Sequence, residues 1–520
     1  MRIAALDLGS NSFHLLVADV QPDGSFVAVT REKEMLRLGD EVARHGRIPP
    51  AAADRAVAAV GRQRQIAQGV GAVEIIAKAT SAIRTASNGS EVVDRIEAET
   101  GVEVDVISGL QEAALVFAAV RASIVIDPGP ALCLDIGGGS VELAIGDAAG
   151  LRWAASLALG VGRLTAELGI QDPPSKTDRA RIEDRVRPEL EELGPAVKAR
   201  SPKMLVGTSG TLNDLARMAI ALADPDVELP PSTNGLRVAK DDLAALHHKL
   251  LRATTDERRR FAGLEEPRRS ELLPVGSTLL MTVLDAYGLD ELTVSDWSLR
   301  EGIVLDAVRT HDPDDWSDEP WALRHAAVMG LARRCNSDAA HTARVAQLAL
   351  ELFDKTMPLH GLDARDREML EYAALLHDIG QHVSRKGHQR HAAYLVENAQ
   401  LRGFEPGEIA FLAALVRHHR RGEPKQSEPR YAALDRESRE RMVKLAALLR
   451  VADGLDRGRS GAVTGLHVTM GADLVVVRVD ADGDAELELW GARRRRDLFE
   501  SVFGRELELL VARAAHIDTA

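Results

Sequence analysis

Two short segments of the chain combine an aspartate with a turn rich in glycine and serine. Residues 6–19 read LDLGSNSFHLLVAD, and residues 134–147 read LDIGGGSVELAIGD. The copies align without gaps and share the pairs Asp7/Asp135, Gly9/Gly137 and Ser12/Ser140. Each copy predicts a β-hairpin whose turn presents backbone N–H groups. Because glycine lets a backbone approach closely and serine adds a hydroxyl, such a turn can hold an anion such as phosphate.

The repeat predicts that a phosphate group is held from two sides of a cleft. The predicted phosphate-binding residues of the two turns are Asp7, Gly9, Ser10, Asn11 and Ser12, and Gly137, Gly138, Gly139 and Ser140. A carboxylate repels phosphate, so Asp7 and Asp135 make sense where they hold Mg²⁺, directly or through water, or position a nucleophile. The alternative for a single segment of this kind is a plain hairpin with a glycine-rich turn.

A third loop follows a predicted strand that begins at Lys203. It reads GTSGT and adds the predicted phosphate-binding residues Gly207, Thr208, Ser209, Gly210 and Thr211. A helix is predicted from Leu212, so this loop places donors at a helix N-terminus, where the helix dipole favours an anion.

Histidine and aspartate form a separate group in the second half of the chain. Its members are His341, the adjacent pair His377 and Asp378, and Asp453. These side chains can converge on one metal ion, and imidazole and carboxylate suit first-row divalent metals. His391 and the pair His418–His419 are further candidates for the same pocket.

The elements that must position these residues change in character along the chain. Strands alternate with helices as far as about residue 310, which predicts an α/β architecture. Residues 311–321 read HDPDDWSDEPW and are typical of a linker. Residues 322–455 have a helical pattern, and residues 465–489 alternate as strands do. A last helix is predicted from the apolar residues Leu498, Val502 and Leu507. The predicted domains cover residues 1–124, 125–310, 320–460 and 461–520.

Composition limits the classes of partner. The formal net charge is −14, so the chain should repel nucleic acid and anionic membranes at long range. Aromatic residues make up 3% of the chain, too few to favour stacking platforms for single-stranded nucleic acid. The N-terminus carries neither a basic segment nor a long apolar one, and Cys133 and Cys335 read as buried free thiols. These features predict a cytoplasmic protein with no nucleic-acid or membrane partner.

Further segments carry a resemblance to a known family. They are ATSAIR at 79–84, SGLQEA at 108–113, LGVGRL at 159–164 and SDWSLREG at 295–302. Together with the repeat and GTSGT, they resemble the Ppx/GppA exopolyphosphatase family. The resemblance implies two ribonuclease-H-like domains of the actin, sugar kinase and Hsp70 superfamily. An all-α HD-like domain and a small α+β C-terminal domain would follow, because the longer members have them.

The same resemblance implies roles for residues outside the turns. Glu112 matches the glutamate that activates the attacking water, although this chain has Gln111 where the family usually has a second acid. Arg84 matches a phosphate-clamping arginine, and Asp135 and Glu142 match acidic groups around Mg²⁺. The structural alternatives are a helix-dipole partner for Glu112, a surface ion pair for Arg84 and simple exposure for Glu142.

The implied activity is release of terminal orthophosphate from inorganic polyphosphate by a homodimer. The alternatives are a guanosine pentaphosphate 5′-phosphohydrolase, a regulatory protein that senses guanosine tetra- or pentaphosphate, and, with less support, a small-molecule kinase. The histidine and aspartate group resembles the HD phosphohydrolase superfamily. It implies either a second divalent-metal site, with or without its own reaction, or a vestigial domain. Basic runs at 417–421 and 493–496 are either solvated helix faces or a track for a polyanion.

Overall fold

The computed structural model describes residues 1–21, 26–227, 229–230, 232–311, 320–399, 401–420, 422 and 424–511, without the side chains of 311 and 320–323. Most of the predicted linker at 311–321 therefore lies outside the described residues. The chain forms two compact units, residues 1–323 with 402–404, and residues 324–401 with 405–520. The four predicted domain boundaries are finer than this division and stay predictions.

The first unit contains two sheets and the helices that cover them. Its strands are β1 (Arg2–Leu8), β2 (Ser12–Val20), β3 (Phe26–Met35), β4 (Glu74–Ala79), β5 (Val104–Val106), β6 (Ala131–Ile136), β7 (Val141–Asp147), β8 (Gly150–Leu157), β9 (Met204–Thr208), β10 (Arg237–Ala239) and β11 (Glu291–Val294). Its helices are α1 (Leu38–His45), α2 (Pro50–Gly69), α3 (Ser81–Thr85), α4 (Gly89–Thr100), α5 (Gly109–Arg121), α6 (Val161–Leu168), α7 (Lys176–Arg200), α8 (Gly210–Ala223), α9 (Lys240–Leu250), α10 (Thr255–Arg258), α11 (Leu273–Tyr287) and α12 (Leu299–His311).

The two sheets repeat one topology, as the sequence repeat predicts. The first has the strand order β3-β2-β1-β4-β5, and the second has β10-β11-β9-β6-β7-β8. In each, two antiparallel pairings lead outward from the first strand, and a parallel strand lies on its other side. The hairpin register sets Asp7 opposite His14 and Asp135 opposite Glu142. The two turns therefore lie at equivalent ends of equivalent strands.

Apolar side chains fill both faces of each sheet. Leu6, Leu8 and Phe13 belong to a cluster that packs the first sheet against α2 and α4, and Leu134 and Ile136 belong to the core of the second. Helices α5 and α12 pack against each other, with α5 also on β7 and β8 and α12 on β1 and β2. Since α5 carries Glu112 in its first turn, this packing fixes the glutamate relative to both hairpins.

The chain from residue 320 onward is largely helical and ends in a small sheet. Its helices are α13 (Pro320–Arg334), α14 (Ala339–Lys355), α15 (Met357–His360), α16 (Ala364–Leu376), α17 (His388–Asn398), α18 (Pro406–Arg417), α19 (Pro429–Ala432), α20 (Arg436–Gly454), α21 (Glu486–Arg493) and α22 (Asp497–Phe503). Its strands are β12 (Val463–Met470), β13 (Leu474–Ala481) and β14 (Glu506–Val511), in the order β12-β13-β14.

The α/β class with two sheets in an actin-like N-terminal part and a helical C-terminal region is confirmed. The predicted last helix is wrong at its end, because α22 stops at Phe503 and Leu507 lies on β14. Cys133 and Cys335 are both buried free thiols, as predicted. Among the described helices, none has the length and apolar character that a membrane crossing requires.

Candidate functional site

Strands β1, β6 and β9 end at one cavity of the first unit, with a volume of about 380 Å³. It brings together most of the predicted site residues, which are Asp7, Gly9, Ser10, Asn11, Ser12, Glu112, Asp135, Gly137, Gly138, Gly139, Ser140, Glu142, Thr208, Ser209, Gly210 and Thr211. Two predicted residues are absent from this lining. Gly207 lies within β9, and Arg84 is hydrogen-bonded to Glu112 without itself lining the cavity.

The two hairpin turns contact each other directly. A Cβ atom added to Gly138 would lie 2.3 Å from Asn11 Cγ, and one added to Gly139 would lie 2.5 Å from Ser10 Oγ. Real Cβ atoms do not approach other atoms so closely, so a side chain at either position would push the turns apart. Glycine at 138 and 139 therefore permits the close approach of the two loops.

The first residues of helix α6 donate hydrogen bonds to carbonyl groups of the second turn. The amides of Val161 and Gly162 donate to the carbonyl oxygens of Gly137 and Gly138, each at 3.0 Å. In a trans peptide the C=O and N–H of one plane point in opposite directions. The N–H groups of Gly138 and Gly139 therefore point away from α6.

The first turn has the same arrangement with α1 and the residues before it. The amide of Gly39 donates to Ser10 O at 2.8 Å, and the amide of Leu36 donates to Asn11 O at 2.9 Å. By the same geometry, the N–H groups of Asn11 and Ser12 point away from α1. In both turns, these hydrogen bonds occupy the carbonyl groups and leave the opposite N–H groups pointing away from the flanking helix, where they are available to an anion.

Several carboxylates line the cavity, among them those of Asp7, Asp135 and Glu142. Burial raises the pKa of Asp7 to about 8 and that of Asp135 to about 7, and the negative charge of Glu112 adds to both shifts. Burial also raises the pKa of Glu142 well above its usual range, against a hydrogen bond that Ser156 Oγ donates to Glu142 Oε1 at 2.8 Å. A cluster of this kind gains most from a bound cation, because a cation offsets both the desolvation and the mutual repulsion.

Glu112 lies in the first turn of α5, which begins with a capping box between Ser108 and Gln111. Gln111, which replaces an acid usual in the family, therefore has a structural role here. Arg84 Nη1 donates to Glu112 Oε2 at 3.2 Å and to Ile107 O at 2.6 Å. Burial raises the pKa of Glu112, and Arg84 opposes that rise. Arg84 thus contacts the glutamate rather than lining the phosphate cavity.

The third loop lies where β9 passes into α8, as predicted. Ser209 has a φ of 97° and its hydroxyl accepts a hydrogen bond from the amide of Leu212 at 3.4 Å. Arg269 Nη1 donates to Gly210 O at 2.8 Å and to Asp214 Oδ2 at 2.7 Å. The arginine therefore fixes the loop and also places a cation at the cavity wall.

His14 is a lining residue that sequence reasoning missed. Its Nε2 donates to Ser12 Oγ at 2.6 Å, and Arg300 Nη1 donates to its Nδ1 at 3.3 Å. Burial, helped by Arg300, lowers the pKa of His14 well below its usual range, so the ring is neutral at pH 7. The sequence repeat could have identified His14, because His14 aligns with the predicted site residue Glu142 in the second copy.

A second cluster lies in the second unit and contains the predicted histidine and aspartate group. The closest approaches are His341 Nε2 to Asp378 Oδ2 at 3.8 Å and to Asp453 Oδ1 at 4.0 Å, and His377 Nε2 to Asp378 Oδ1 at 3.8 Å and to Asp453 Oδ1 at 3.9 Å. Burial would raise the pKa of Asp453, but Arg495 and nearby histidines lower it to about 2. The four predicted residues thus meet at one point.

Two further histidines lie beside Asp378. His388 Nε2 is 3.1 Å from Asp378 Oδ1 and 3.3 Å from His419 Nε2. The sequence prediction included His419, but it chose His391 where the structure has His388. His418 lies apart from the cluster, with its Nε2 3.6 Å from Glu428.

Comparison with known proteins places the chain among phosphatases, and it is an enzyme that hydrolyses phosphoanhydride bonds. It belongs to the Ppx/GppA phosphatase family, which matches residues 16–311. Residues 323–482 match domain III of Ppx/GppA phosphatases. The family resemblance drawn from the repeat and its accompanying motifs is therefore confirmed.

Curated relatives cover different parts of the chain. Exopolyphosphatase 1 of Mycobacterium leprae is 35% identical over 309 residues, which span 59% of this chain and 89% of the relative. The guanosine-5′-triphosphate,3′-diphosphate pyrophosphatase of Aeromonas hydrophila is 28% identical over 458 residues, or 86% of each chain.

Among solved structures, an exopolyphosphatase from Cytophaga hutchinsonii has a TM-score of 0.56 and 32% identity, covering 60% of this chain and 98% of its own. The Ppx/GppA family member of Aquifex aeolicus has a TM-score of 0.52 and 28% identity, covering 60% and 99%.

Proposed function

We propose that the protein is an exopolyphosphatase that removes terminal orthophosphate from inorganic polyphosphate. The observation that carries the proposal is the single cavity in which both hairpin turns, the third loop and Glu112 meet. Loop amides that point away from α1 and α6 suit the oxygens of a phosphate chain. A buried glutamate in the same cavity suits the activation of water. The similarity to exopolyphosphatases of Mycobacterium and Cytophaga supports the choice of substrate.

The reaction requires water to attack the terminal phosphorus in line with the bond that breaks. Glu112 accepts a proton from that water, and the loop amides hold the phosphoryl oxygens as charge develops on them. Arg84 keeps the Glu112 carboxylate in one orientation and favours its ionised form. We assign Arg84 to this positioning role, and the phosphate-clamping role that the family resemblance implies stays a prediction.

Asp135 and Glu142 are proposed to hold Mg²⁺, with Asp7 beside them. Their oxygen donors match the preference of Mg²⁺, and the raised pKa values of Asp7 and Asp135 support a bound cation, which would offset their burial. When bound, Mg²⁺ would neutralise charge on the phosphate oxygens. Ser156, which donates to Glu142, keeps one carboxylate oxygen in place.

The test is the Glu112→Gln variant assayed for phosphate release from long-chain polyphosphate with Mg²⁺. Loss of the base should lower kcat by about 10²- to 10⁴-fold with little change in KM. Glu103→Gln is the matched control, because Glu103 is an exposed glutamate that precedes the neighbouring strand β5. A folded Glu112→Gln protein that releases phosphate at the parent rate would contradict the assignment.

A guanosine pentaphosphate 5′-phosphohydrolase is the second candidate. The Aeromonas pyrophosphatase aligns over 86% of this chain, which includes much of the C-terminal region. Phosphate release from polyphosphate, guanosine pentaphosphate and ATP, compared side by side, separates the two hydrolases. Tight binding of guanosine tetra- or pentaphosphate without turnover would favour a regulatory sensor, and phosphoryl transfer to an added hydroxyl compound would favour a kinase.

Several finer predictions belong with this proposal. The two sheets correspond to ribonuclease-H-like domains, and the helical region with its terminal sheet corresponds to an HD-like domain and a small α+β domain. We also expect the protein to be a homodimer in the cytoplasm with no nucleic-acid or membrane partner. Molar mass by light scattering tests the dimer.

A further inference from the structure

His14 lies on β2 and connects two other residues of the phosphate cavity. Its Nε2 is 2.6 Å from Ser12 Oγ, and its Nδ1 is 3.3 Å from Arg300 Nη1. Ser12 and His14 lie on the same face of β2, because side chains two positions apart on a strand share a face. All three residues line the cavity. Neither His14 nor Arg300 takes part in the proposed water activation or in the proposed Mg²⁺ site.

The arginine determines which ring nitrogen of His14 carries a hydrogen. A guanidinium group has five N–H donors and no acceptor, so the nitrogen that faces it must offer a lone pair. In a neutral imidazole, one nitrogen accepts and the other donates. Nδ1 is therefore the acceptor for Arg300, and Nε2 carries the hydrogen and donates to Ser12 Oγ. The lowered pKa of His14, which burial and Arg300 cause, agrees with a neutral ring.

This arrangement excludes His14 as a general base and makes Ser12 a donor. The lone pair of Nδ1 faces Arg300, and Nε2 already carries a hydrogen, so the ring has no site left for a proton from water. A hydroxyl has one hydrogen and two lone pairs, and Ser12 uses one lone pair to accept from His14. Its own hydrogen must therefore point away from the ring, and Ser12 borders the cavity.

The equivalent serine of the second turn has the opposite hydrogen-bond polarity. In the sequence repeat, Ser140 aligns with Ser12 and Glu142 aligns with His14. Burial raises the pKa of Glu142, and a hydrogen bond with Ser140 opposes that rise. A bond with this effect favours the ionised carboxylate, which only accepts, so Ser140 is the donor. Histidine in place of glutamate thus frees the hydroxyl hydrogen in the first turn and not in the second.

The start of α12 holds Arg300 in position. Its neighbour Glu301 is fully buried, and Glu301 Oε2 accepts a hydrogen bond from the amide of Ser298 at 3.0 Å. The same oxygen is 3.9 Å from Arg300 Nε. Since α12 packs on β1 and β2, Arg300 and His14 keep their relative position. The ring is therefore oriented before a substrate binds, as a preorganised site requires.

We propose that His14 is a positioning residue that, with Arg300, directs the hydroxyl hydrogen of Ser12 at an oxygen of the terminal phosphoryl group. The inference rests on the proposed phosphohydrolase function. Ser12 would donate a hydrogen bond and keep its proton, so no covalent bond changes at the serine. Charge develops on the phosphoryl oxygens as water attacks, so an oriented donor stabilises the transition state more than the bound substrate.

The tautomer of His14 can be measured in the resting protein, without reference to activity. Full-length protein is labelled with ¹⁵N at its histidines, and the His14 ring is assigned as the signal that disappears in His14→Gln. At pH 7 we expect the neutral ring with its hydrogen on Nε2. A ring with its hydrogen on Nδ1, or a charged ring, would overturn the proposal, since neither agrees with Nδ1 as the acceptor for Arg300.

Two substitutions at His14 separate hydrogen-bond donation from packing. His14→Leu keeps the size of the side chain but removes the donor, whereas the amide that His14→Gln introduces can still donate to Ser12. In phosphate release from polyphosphate with Mg²⁺, His14→Leu should lower kcat by about 10- to 100-fold with little change in KM, less than the about 10²- to 10³-fold that loss of a direct donor costs. His14→Gln should keep at least about a third of the parent kcat. Equal losses in the two variants would overturn the proposal.

His248→Leu is the matched control. His248 is an exposed histidine on α9 and is absent from the cavity lining, so its variant should match the parent protein. Circular dichroism checks the fold of each protein. If His14→Leu fails to fold, His14→Asn carries the same expected loss, because its amide ends near the position of Nδ1 and does not reach Ser12.

Ser12→Ala tests whether His14 acts through that hydroxyl. Once the hydroxyl is absent, adding His14→Leu should lower kcat by no more than about 3-fold further, because the two residues then act as one unit. Losses that multiply in the double variant would overturn the proposal.

Failure of this inference differs from failure of the proposed function. A parent protein that releases no phosphate from polyphosphate would contradict the proposed function and the inference with it. An active parent protein whose kcat is unchanged by His14→Leu would overturn the inference alone.

Discussion

Two opposing influences, burial and a neighbouring arginine, set the pKa of Glu112. Burial in the first turn of α5 raises its pKa, and the guanidinium of Arg84, 3.2 Å from Oε2, lowers it. A general base works only when it is deprotonated, so its rate falls when the pH drops below the pKa of the carboxyl. With Glu112 as the proposed general base, Arg84 would therefore extend the active range of the enzyme toward acid.

Arg84→Gln should move the acidic limb of the activity profile to higher pH. Without the cation, burial is less opposed and the pKa of Glu112 rises further. The measurement is kcat/KM for phosphate release from polyphosphate across pH 5–9. A half-buried arginine on α4, Arg95, provides the control variant Arg95→Gln, which should leave the limb in place. A lower rate with an unmoved limb would argue for phosphate clamping alone.

At the residue scale, motifs predict the cavity better than they predict the second cluster. Glu112 and the turn residues were named from motif and repeat, and they meet in space. His14 was missed, although its repeat partner Glu142 was named. His388 was missed because a single histidine on a helix carries no pattern, and only the fold shows that it reaches Asp378 while His391 does not.

At the scale of elements, the position of the second hairpin turn depends on the start of α6. Gly160 precedes that helix, and a Cβ added to it would lie 2.4 Å from the backbone of Gly138 and Gly139. Backbone atoms of a hydrogen-bonded turn cannot move aside as the end of a long side chain can. Gly160 therefore sets how closely α6 approaches the turn.

Gly160→Ala should displace the turn from its cavity-facing position and lower both activity and stability. We expect a loss of at least about 10-fold in kcat/KM, because a misplacement of about 1 Å can cost 10²-fold. Gly69→Ala is the control, since Gly69 is an exposed glycine in the last turn of α2 with nothing near its added Cβ. It should leave activity unchanged and stabilise the helix by up to about 1 kcal/mol. Full activity in Gly160→Ala would refute the close-approach argument.

Element prediction succeeds where periodicity is long and fails where it is short. The apolar residues Ala53, Val57, Val60 and Ile66 have helical spacing and predict a helix over 50–69, and α2 spans Pro50–Gly69. The last predicted helix ran through Leu507, yet Gly504 at a φ of 63° ends α22 and the next residues alternate between exposed and buried on β14. Gly504 marks the end of the helix in the sequence, because glycine often follows the last turn. The prediction overlooked it, because Leu498, Val502 and Leu507 were assigned to one helical face.

At the scale of the whole molecule, the cavity carboxylates link stability to pH. Asp7 and Asp135 have pKa values of about 8 and about 7 in the folded protein, against an ordinary 3.8. Near neutral pH the folded state therefore binds more protons than the unfolded state. Stability then falls as pH rises through this range, and a bound cation opposes that fall.

Thermal unfolding should show this linkage. Without divalent ions, Tm should fall between pH 6 and pH 8.5, and Mg²⁺ should raise Tm more at pH 8.5 than at pH 6. Asp135→Asn removes one of the titrating groups and should weaken both effects, whereas Asp105→Asn, at an exposed ion pair with Lys78, should not. An equal Mg²⁺ shift at the two pH values would exclude the link.

The hydrogen bonds that α1 and α6 donate to the turns have a consequence for selectivity. Backbone amides recognise phosphate oxygens and nothing of what the phosphate is attached to. If the turns hold phosphate as proposed, they would be indifferent to whether the rest of the substrate is more phosphate or a nucleoside. Under the proposed function, discrimination would come from other residues of the cavity lining, which include Arg31, Lys33 and Arg269. Related enzymes could exchange substrates by altering those residues while the catalytic turns stay unchanged.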